Sequence, residues 1–116
     1  MTYYRNRFAI NTLLTILAWG ASTATLAECK SPTQPMVPNG MTADKDTIIA
    51  ATVNVKAYIA DNEDYRRCLK KELDALGETA TDEQKADWAK KHDASVDAEE
   101  QTAASFNAQI RIFKSR

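Results

Sequence analysis

Two long stretches of helical periodicity, joined by a short connection, constrain the fold of this chain more than any other feature of its sequence. Residues 42–76 and 82–113 both repeat apolar side chains at the spacing of an α-helix. Because a short connection makes consecutive helices antiparallel neighbours, the pattern predicts an all-α fold, an αα-hairpin with coiled-coil-like packing. The apolar positions are Ile48, Ala51, Val55, Tyr58, Ile59, Tyr65, Leu69, Leu73 and Leu76 in the first helix and Trp88, Val96, Ala103, Phe106, Ile110 and Phe113 in the second.

Residues at the ends of both stretches predict where the helices begin and end. Thr42 is a candidate N-cap for the first helix, and Gly77 is placed to end it. The run Thr81-Asp82-Glu83-Gln84 has the form of a capping box, which marks the start of the second helix. The apolar positions of the first helix cover about half of its circumference, more than one partner helix requires. A further element should therefore pack on that helix.

The beginning of the chain has the three-part pattern of a secretory signal peptide. Arg5 and Arg7 precede an uncharged run over residues 8–27, which ends in small residues and permits cleavage after Ala27. The alternative is an uncleaved anchor, because about 20 uncharged residues can just span a bilayer. A lipoprotein signal is disfavoured because Glu28 stands where a small residue should precede the cysteine. The pattern predicts a periplasmic or secreted chain of residues 28–116, with no stable membrane anchor after cleavage.

Export gives a specific interpretation to the two cysteines of the chain, Cys29 and Cys68. In an oxidising compartment, an even number of cysteines in a short chain predicts a disulfide. Two free thiols or a bridge between two chains are the alternatives. A structural zinc site is not expected, since the chain offers a single His besides these two cysteines.

Residues 28–41 are predicted to be extended, because Pro32, Pro35 and Pro38 recur at every third position, the period of a polyproline II helix. The extended path from Cys29 to residue 42 measures about 40 Å. The helical path from residue 42 to Cys68 measures about 39 Å. The segment should therefore run back along the first helix to a disulfide at Cys68. A flexible spacer is the alternative.

This register also places prolines and tyrosines in alternation along the first helix. Pro32 should fall between Tyr65 and Tyr58, and Pro35 just beyond Tyr58. The two tyrosines are seven positions apart and so share one helix face, as such packing requires. Proline–tyrosine packing would account for the excess width of the apolar surface.

Several short motifs occur together in the mature chain: Cys29, Pro32, Pro35, the Val37-Pro38-Asn39-Gly40 turn, Tyr58, Tyr65, Cys68-Leu69 and Phe106-Asn107. Their combination resembles a group of small exported proteobacterial helical-hairpin proteins that are uncharacterised. The resemblance covers most of the mature chain and implies a disulfide-linked hairpin. It implies no activity and supplies no catalytic residues.

Three polar residues, Asn62, His92 and Glu99, interrupt the apolar stripes near the middle of the predicted hairpin. His92 could supply a ligand nitrogen and Glu99 a ligand oxygen, so this layer could hold a metal ion or a small ligand. The site would be incomplete unless a second copy of the chain contributed to it. The alternative is a structural role, because polar residues in a helical seam commonly fix its register.

The remaining residues argue against catalysis and against nucleic-acid binding. A nucleophilic triad needs a Ser or Cys beside a His held by a carboxylate, whereas the lone His92 lies on a helix. The basic residues at 66–71 are interspersed with acidic ones, and the net charge of −1 becomes −3 when Arg5 and Arg7 leave with the leader. We expect no enzyme, no cofactor and no nucleic-acid partner.

The apolar core is thin for a mature chain of this size, and small domains usually need a disulfide or a partner chain. The sequence therefore predicts a non-enzymatic exported hairpin that acts through protein contacts in the cell envelope. It would do so as a homodimer, which would form a four-helix bundle, or as an accessory subunit. The alternative function is a metal- or small-ligand-binding bundle that uses the layer of Asn62, His92 and Glu99.

Overall fold

The computed structural model describes residues 28–116, which form an antiparallel hairpin of two long helices. Helix α1 spans Lys45–Leu76, helix α2 spans Asp82–Ser115, and a single 3₁₀ turn over Gly77–Thr79 joins them. The two helices pack against each other, and no strand occurs within the described residues. The predicted all-α hairpin is confirmed. The predicted signal peptide, residues 1–27, lies outside the described part of the chain.

Helix α1 begins later than the sequence predicted, because its N-cap is Asp44 and not Thr42. The backbone N–H groups of Thr42 and Ala43 both donate to the Asn39 carbonyl oxygen, which keeps these residues in a turn. The Asp44 side chain then accepts the Thr47 N–H at 2.7 Å. Hydrogen bonding from the Thr47 side chain, and then from this N–H, lowers the pKa of the Asp44 carboxyl. A carboxylate at this position also suits the positive end of the helix dipole.

The end of α1 and the start of α2 agree with the predictions. Gly77 ends α1 with a φ of 52°, a backbone conformation that favours glycine, and its N–H bonds to the Asp74 carbonyl oxygen. The capping box at the start of α2 is present, with Thr81 and Gln84 each accepting the other's backbone N–H. Helix α2 continues two residues beyond the predicted end at 113 and stops at Ser115.

Residues 28–41, which we call the strap, lie along the hairpin; the predicted extended path ends at residue 39, because Gly40 and Met41 already belong to the turn before α1. A disulfide joins Cys29 to Cys68 on α1, with the two Cα atoms 5.8 Å apart. Towards its other end the strap bonds to α2: Gln34 Nε2 donates to Thr102 Oγ1 at 2.9 Å, and Gly40 N donates to a Gln109 side-chain oxygen at 2.7 Å. The prediction of a docked strap is confirmed, and the alternatives of free thiols and a loose spacer are wrong.

The strap also contributes to the core between the helices. Val37 packs with Ile59 and Ile110 against a buried cluster of Ala51, Val55 and Phe106. Its participation explains why the apolar surface of α1 is wider than one partner helix requires. Among the residues predicted to alternate, Tyr58 is buried, and Tyr65, Pro32 and Pro35 are half-buried. Their burial agrees with the predicted packing, while their pairwise contacts stay a prediction.

Close packing against α2 fixes the end of the strap that leads into α1. Gly40 is buried, and a Cβ atom added to it would overlap the Gln109 carbonyl oxygen. The same atom would lie 3.0 Å from the Phe113 backbone nitrogen. Glycine is therefore required here for a close backbone approach. Neither helix of the described chain has an apolar stretch long enough to cross a membrane.

Candidate functional site

A chain of hydrogen bonds crosses the middle of the hairpin, where the sequence predicted a polar layer. Asn62 on α1 is 1% exposed; its Nδ2 donates to the Tyr58 carbonyl oxygen at 3.0 Å. Its Oδ1 accepts from Ser95 Oγ on α2 at 2.8 Å. Both ends of the Asn62 amide are therefore paired, as a buried polar group requires.

Arg66 extends this chain from Ser95 to Glu99. One guanidinium nitrogen of Arg66 donates to Ser95 Oγ at 3.1 Å and to Glu99 Oε2 at 2.7 Å. The ion pair is largely shielded, since the Arg66 and Glu99 side chains are 18% and 21% exposed. We call Asn62, Ser95, Arg66 and Glu99 the polar seam. Because the guanidinium already neutralises Glu99, this carboxylate is poorly placed to hold a metal ion as well.

His92 does not join the polar seam. Its ring stacks on Trp88, one helical turn earlier, with ring centroids 5.0 Å apart and planes 24° from parallel. Its Nδ1 lies 3.3 Å from a carboxylate oxygen of Asp93. The structure therefore brings Asn62 and Glu99 into one network but places His92 outside it. This geometry favours the structural interpretation of the polar layer over a metal or small-ligand site.

Sequence reasoning missed the role of Arg66, which it grouped with an exposed basic cluster paired within α1. Two neighbours do pair there, Arg67 with Asp64 and Lys70 with Asp74. Arg66 instead lies four positions after Asn62, on the helix face that meets α2. That spacing is the signal that could have identified it.

A second buried polar contact connects α2 to the strap. Thr102 has no exposed surface; its Oγ1 donates to the Ala98 carbonyl oxygen at 2.8 Å and accepts from Gln34 Nε2. The most buried polar side chains, those of Asn62, Ser95 and Thr102, thus all have partners within the chain. They fix the register of the three packed segments, and each polar atom of these side chains already has a partner within the chain.

The disulfide has an acidic neighbour. Glu72 lies one turn after Cys68 on α1, and its carboxylate accepts the backbone N–H of Cys29 at 3.3 Å. Oxygen and both sulfur atoms lie within 4.8 Å of one another, and all three residues are half-buried. Among residues 28–116 no other group of three His, Cys, Asp or Glu residues has its ligand atoms within this distance of one another. The two cysteines bond to each other, so neither is a metal ligand in this state.

Beyond the disulfide, the strap no longer covers the groove between the helices. There the closed end of the hairpin leaves a recess of about 160 Å³, which we call the end recess. It continues the groove of the strap, since Glu72 both borders it and holds the Cys29 N–H. The lining residues are Leu69, Leu73, Leu76 and Trp88, with Glu72, Gln84, Asp87 and Lys91 at the rim.

The rim of the end recess carries an ion pair, and its wall contains a buried hydrogen-bond donor with no acceptor in residues 28–116. Lys91 and Asp87 form an ion pair at 2.8 Å, and the hydrogen bond to Asp87 raises the pKa of Lys91. Trp88 Nε1 is buried and has no acceptor within the described residues. An unpaired buried donor is destabilising. The position of Trp88 therefore depends on contacts of its ring, such as the stack with His92, and not on a hydrogen bond.

A wider depression of about 360 Å³ also borders Trp88 and His92 and includes Glu63, Arg66, Arg67 and Lys70. All three of its strong cations already pair with carboxylates: Arg66 with Glu99, Arg67 with Asp64 and Lys70 with Asp74. The depression therefore has little uncompensated positive charge for an anionic partner.

Comparison with protein-family models, with curated proteins and with solved structures finds no significant match for this chain.

Proposed function

We propose that this chain is an exported, non-enzymatic hairpin module of the cell envelope, periplasmic or secreted, which binds another protein through the end recess. The observation that carries the proposal is that the strap covers the groove between the helices only as far as the disulfide. From Gly40 to Cys29 the strap bonds to both helices. Past Cys29 the apolar groove continues as the end recess, which no other part of residues 28–116 covers.

The size and lining of the end recess suit one apolar side chain better than a cofactor. Its volume of about 160 Å³ is well below the roughly 300–1,000 Å³ typical of small-molecule pockets. A cavity of about 150 Å³ lined by aliphatic and aromatic groups can hold a single benzene ring. Binding energy at protein interfaces concentrates in such anchor pockets, which take a buried aromatic or aliphatic side chain. We assign the end recess a leucine or aromatic anchor residue of a partner protein.

The compartment is supported by the disulfide and by the leader pattern of residues 1–27. Disulfides persist in the periplasm and outside the cell and are rare in the cytosol. The bond between Cys29 and Cys68 is present, and it closes a segment that includes the whole strap. The resemblance to exported proteobacterial hairpins supports the same compartment.

The absence of catalysis is part of the proposal, and the polar groups support it. The seam residues are paired with one another, and His92 stacks on Trp88, with the exposed carboxylate of Asp93 beside its Nδ1. A general base needs a reacting group within hydrogen-bond reach. The groups of the seam serve the packing of the helices instead.

Site-specific photo-crosslinking in the native envelope tests the proposal. A photoreactive residue replaces Gln84, at the rim of the end recess, and adducts are identified by mass spectrometry. We expect one discrete adduct that Leu73→Asp abolishes and Val53→Asp retains, since Val53 is 61% exposed and lies outside the recess. Far-ultraviolet circular dichroism of both variants controls for folding.

The mass of the adduct distinguishes the two kinds of partner. A mass of two chains identifies a homodimer, which light scattering of the purified chain at several concentrations would show independently. A larger or smaller mass identifies a different protein and an accessory role. An adduct that survives Leu73→Asp, or no adduct from the rim, would contradict binding through the end recess.

A further inference from the structure

We propose that the reduced form of this chain binds one thiophilic divalent metal ion, of which Zn²⁺ is the type, through Cys29, Cys68 and Glu72. The three residues form a metal site that exists only when the disulfide is open. This inference goes beyond the proposed function and does not depend on it.

The backbone already places the three ligands around one point. Cys68 and Glu72 are four residues apart on α1 and so share one helix face, a common spacing for two ligands of one ion. Cys29 comes from the strap, with its Cα atom 5.8 Å from that of Cys68. In a tetrahedral zinc site with bonds of about 2.3 Å, two sulfur ligands lie roughly 3.8 Å apart. Rotation about the cysteine side chains can provide that separation without moving the backbone.

The strap is held on the hairpin by contacts that do not involve sulfur, one to α1 and two to α2. The Cys29 N–H bonds to Glu72, the Gln34 side chain bonds to Thr102, and Gly40 bonds to Gln109. Reduction of the disulfide breaks none of these contacts directly, so we expect the Cys29 thiol to stay close to the other two ligands. The site is therefore partly assembled before the ion binds, which lowers the ordering cost of binding.

The donor set selects the class of metal. Two thiolates and one carboxylate suit Zn²⁺ and similar ions, whereas Mg²⁺ and Ca²⁺ require oxygen ligands. All three residues are half-buried, so a water molecule can reach the fourth tetrahedral position. With three protein ligands in place of four, the site resembles open zinc sites more than closed structural ones.

Reduction and metal binding balance as two separate steps. A dithiol reductant gives two electrons and two protons to the disulfide, which becomes two thiols while the reductant becomes a disulfide. The ion then displaces the two thiol protons and binds the thiolates. Because the same two sulfur atoms serve both bonds, the metal-bound and disulfide-bonded forms exclude each other. In either form a covalent or coordinate link joins the strap to α1.

Titration with Co²⁺, a spectroscopic substitute for Zn²⁺, tests the proposal. The purified chain is reduced anaerobically with an immobilised dithiol, which is then removed by filtration. We expect a thiolate-to-cobalt charge-transfer band and tetrahedral visible bands that saturate at one ion per chain and disappear when Zn²⁺ is added. The oxidised chain should show neither band.

Variants separate this site from other binding. Glu72→Gln should weaken Co²⁺ binding by about 10-fold or more, and Cys68→Ser should remove the charge-transfer band of a one-to-one tetrahedral complex. Glu63 is an exposed carboxylate on the same helix, so Glu63→Gln should leave the affinity for Co²⁺ unchanged. No band in the reduced chain, equal affinity in Glu72→Gln, or two chains per ion would overturn the proposal, as would loss of binding in His92→Ala.

Discussion

The substitution Gly40→Ala tests whether the strap is held by close packing or by the disulfide alone. The added Cβ would overlap the Gln109 carbonyl oxygen and would lie 3.0 Å from the Gln109 carbonyl carbon and the Phe113 nitrogen. These are backbone atoms of α2, so no side-chain rotation can relieve the overlap. The strap must withdraw from α2 at this point.

The expected cost follows from the contacts that the withdrawal disturbs. The Gly40 N–H loses its 2.7 Å bond to the Gln109 side chain, a net loss of about 1 kcal/mol. Three positions earlier, Val37 loosens from the cluster of Ala51, Val55 and Phe106, which costs about 1–2 kcal/mol for partial exposure of a valine. Alanine restricts the unfolded chain and returns about 0.5 kcal/mol. We therefore expect a net loss of about 2 kcal/mol, within the usual range for overpacking.

Urea denaturation of the oxidised protein measures this loss. The fluorescence of Trp88, the single tryptophan of residues 28–116, and far-ultraviolet circular dichroism follow unfolding independently. Gly77→Ala is the matched control, because no atom lies within 4 Å of its added Cβ and its φ of 52° creates only backbone strain. That strain costs about 1–2 kcal/mol and leaves the strap in place.

Amide hydrogen exchange distinguishes the two glycine variants, since exchange in the strap should accelerate in Gly40→Ala and not in Gly77→Ala. A Gly40→Ala protein within 0.5 kcal/mol of the original, roughly the limit of ordinary surface substitutions, with unchanged exchange in the strap, would refute the close-packing argument.

Three further predictions concern the disulfide, the polar seam and the cap of α1. Reducing the bond, whose cysteines are 39 positions apart, should lower the free energy of unfolding in urea by about 4 kcal/mol on the chain-entropy model; a loss below about 1 kcal/mol would show that strap contacts dominate. A double-mutant cycle of Arg66→Ala and Glu99→Ala should give a coupling of about 1–2 kcal/mol, against less than about 0.5 kcal/mol for the exposed pair of Lys70 and Asp74; equal couplings would contradict the shielded seam. Because hydrogen bonds from the Thr47 side chain and from its backbone N–H lower the pKa of Asp44 below its ordinary 3.8, the cap stabilises the fold above that pH, and this contribution is lost as the pH falls through the lower folded value. Asp44→Asn should flatten acid unfolding there, and an unchanged acid limb would contradict this.

Most of the fold could be predicted because it depends on local chemistry and on chain length. The capping box and Gly77 mark the two ends of the connection through residue types with strong local preferences. The docking of the strap followed from the equal lengths of two paths, the extended path from Cys29 to residue 42 and the helical path from residue 42 to Cys68. These lengths depend on the backbone and not on the side chains. The start of α1 was predicted wrongly at Thr42, because the Asn39 carbonyl oxygen holds the following residues in a turn. The sequence pattern does not show that the Asn39 carbonyl oxygen accepts from both Thr42 N–H and Ala43 N–H, and so does not show that the turn extends past Thr42.

The polar seam was predictable in position but not in pairing. Setting the helices antiparallel placed Asn62, His92 and Glu99 in one layer, and the structure joins two of them, Asn62 and Glu99, through Ser95 and Arg66. The partner of Arg66 depended on helix rotation, because this side chain could reach acidic residues within α1 or across the interface. The actual rotation directs it to Glu99 at 2.7 Å. The same rotation places His92 beside Trp88, so the residue that most suggested a metal site lies outside the seam.

The position of the disulfide connects the two proposals. It marks where coverage by the strap ends, and Glu72 beside it both holds the Cys29 N–H and borders the end recess. A metal ion on Cys29, Cys68 and Glu72 would draw the Glu72 carboxylate towards the sulfur atoms and so change the rim that an anchor side chain meets. Binding at two sites that share a residue is coupled, and the coupling is reciprocal. If both proposals hold, the ion must therefore change the affinity of the end recess for its partner by the same factor by which the partner changes the affinity for the ion.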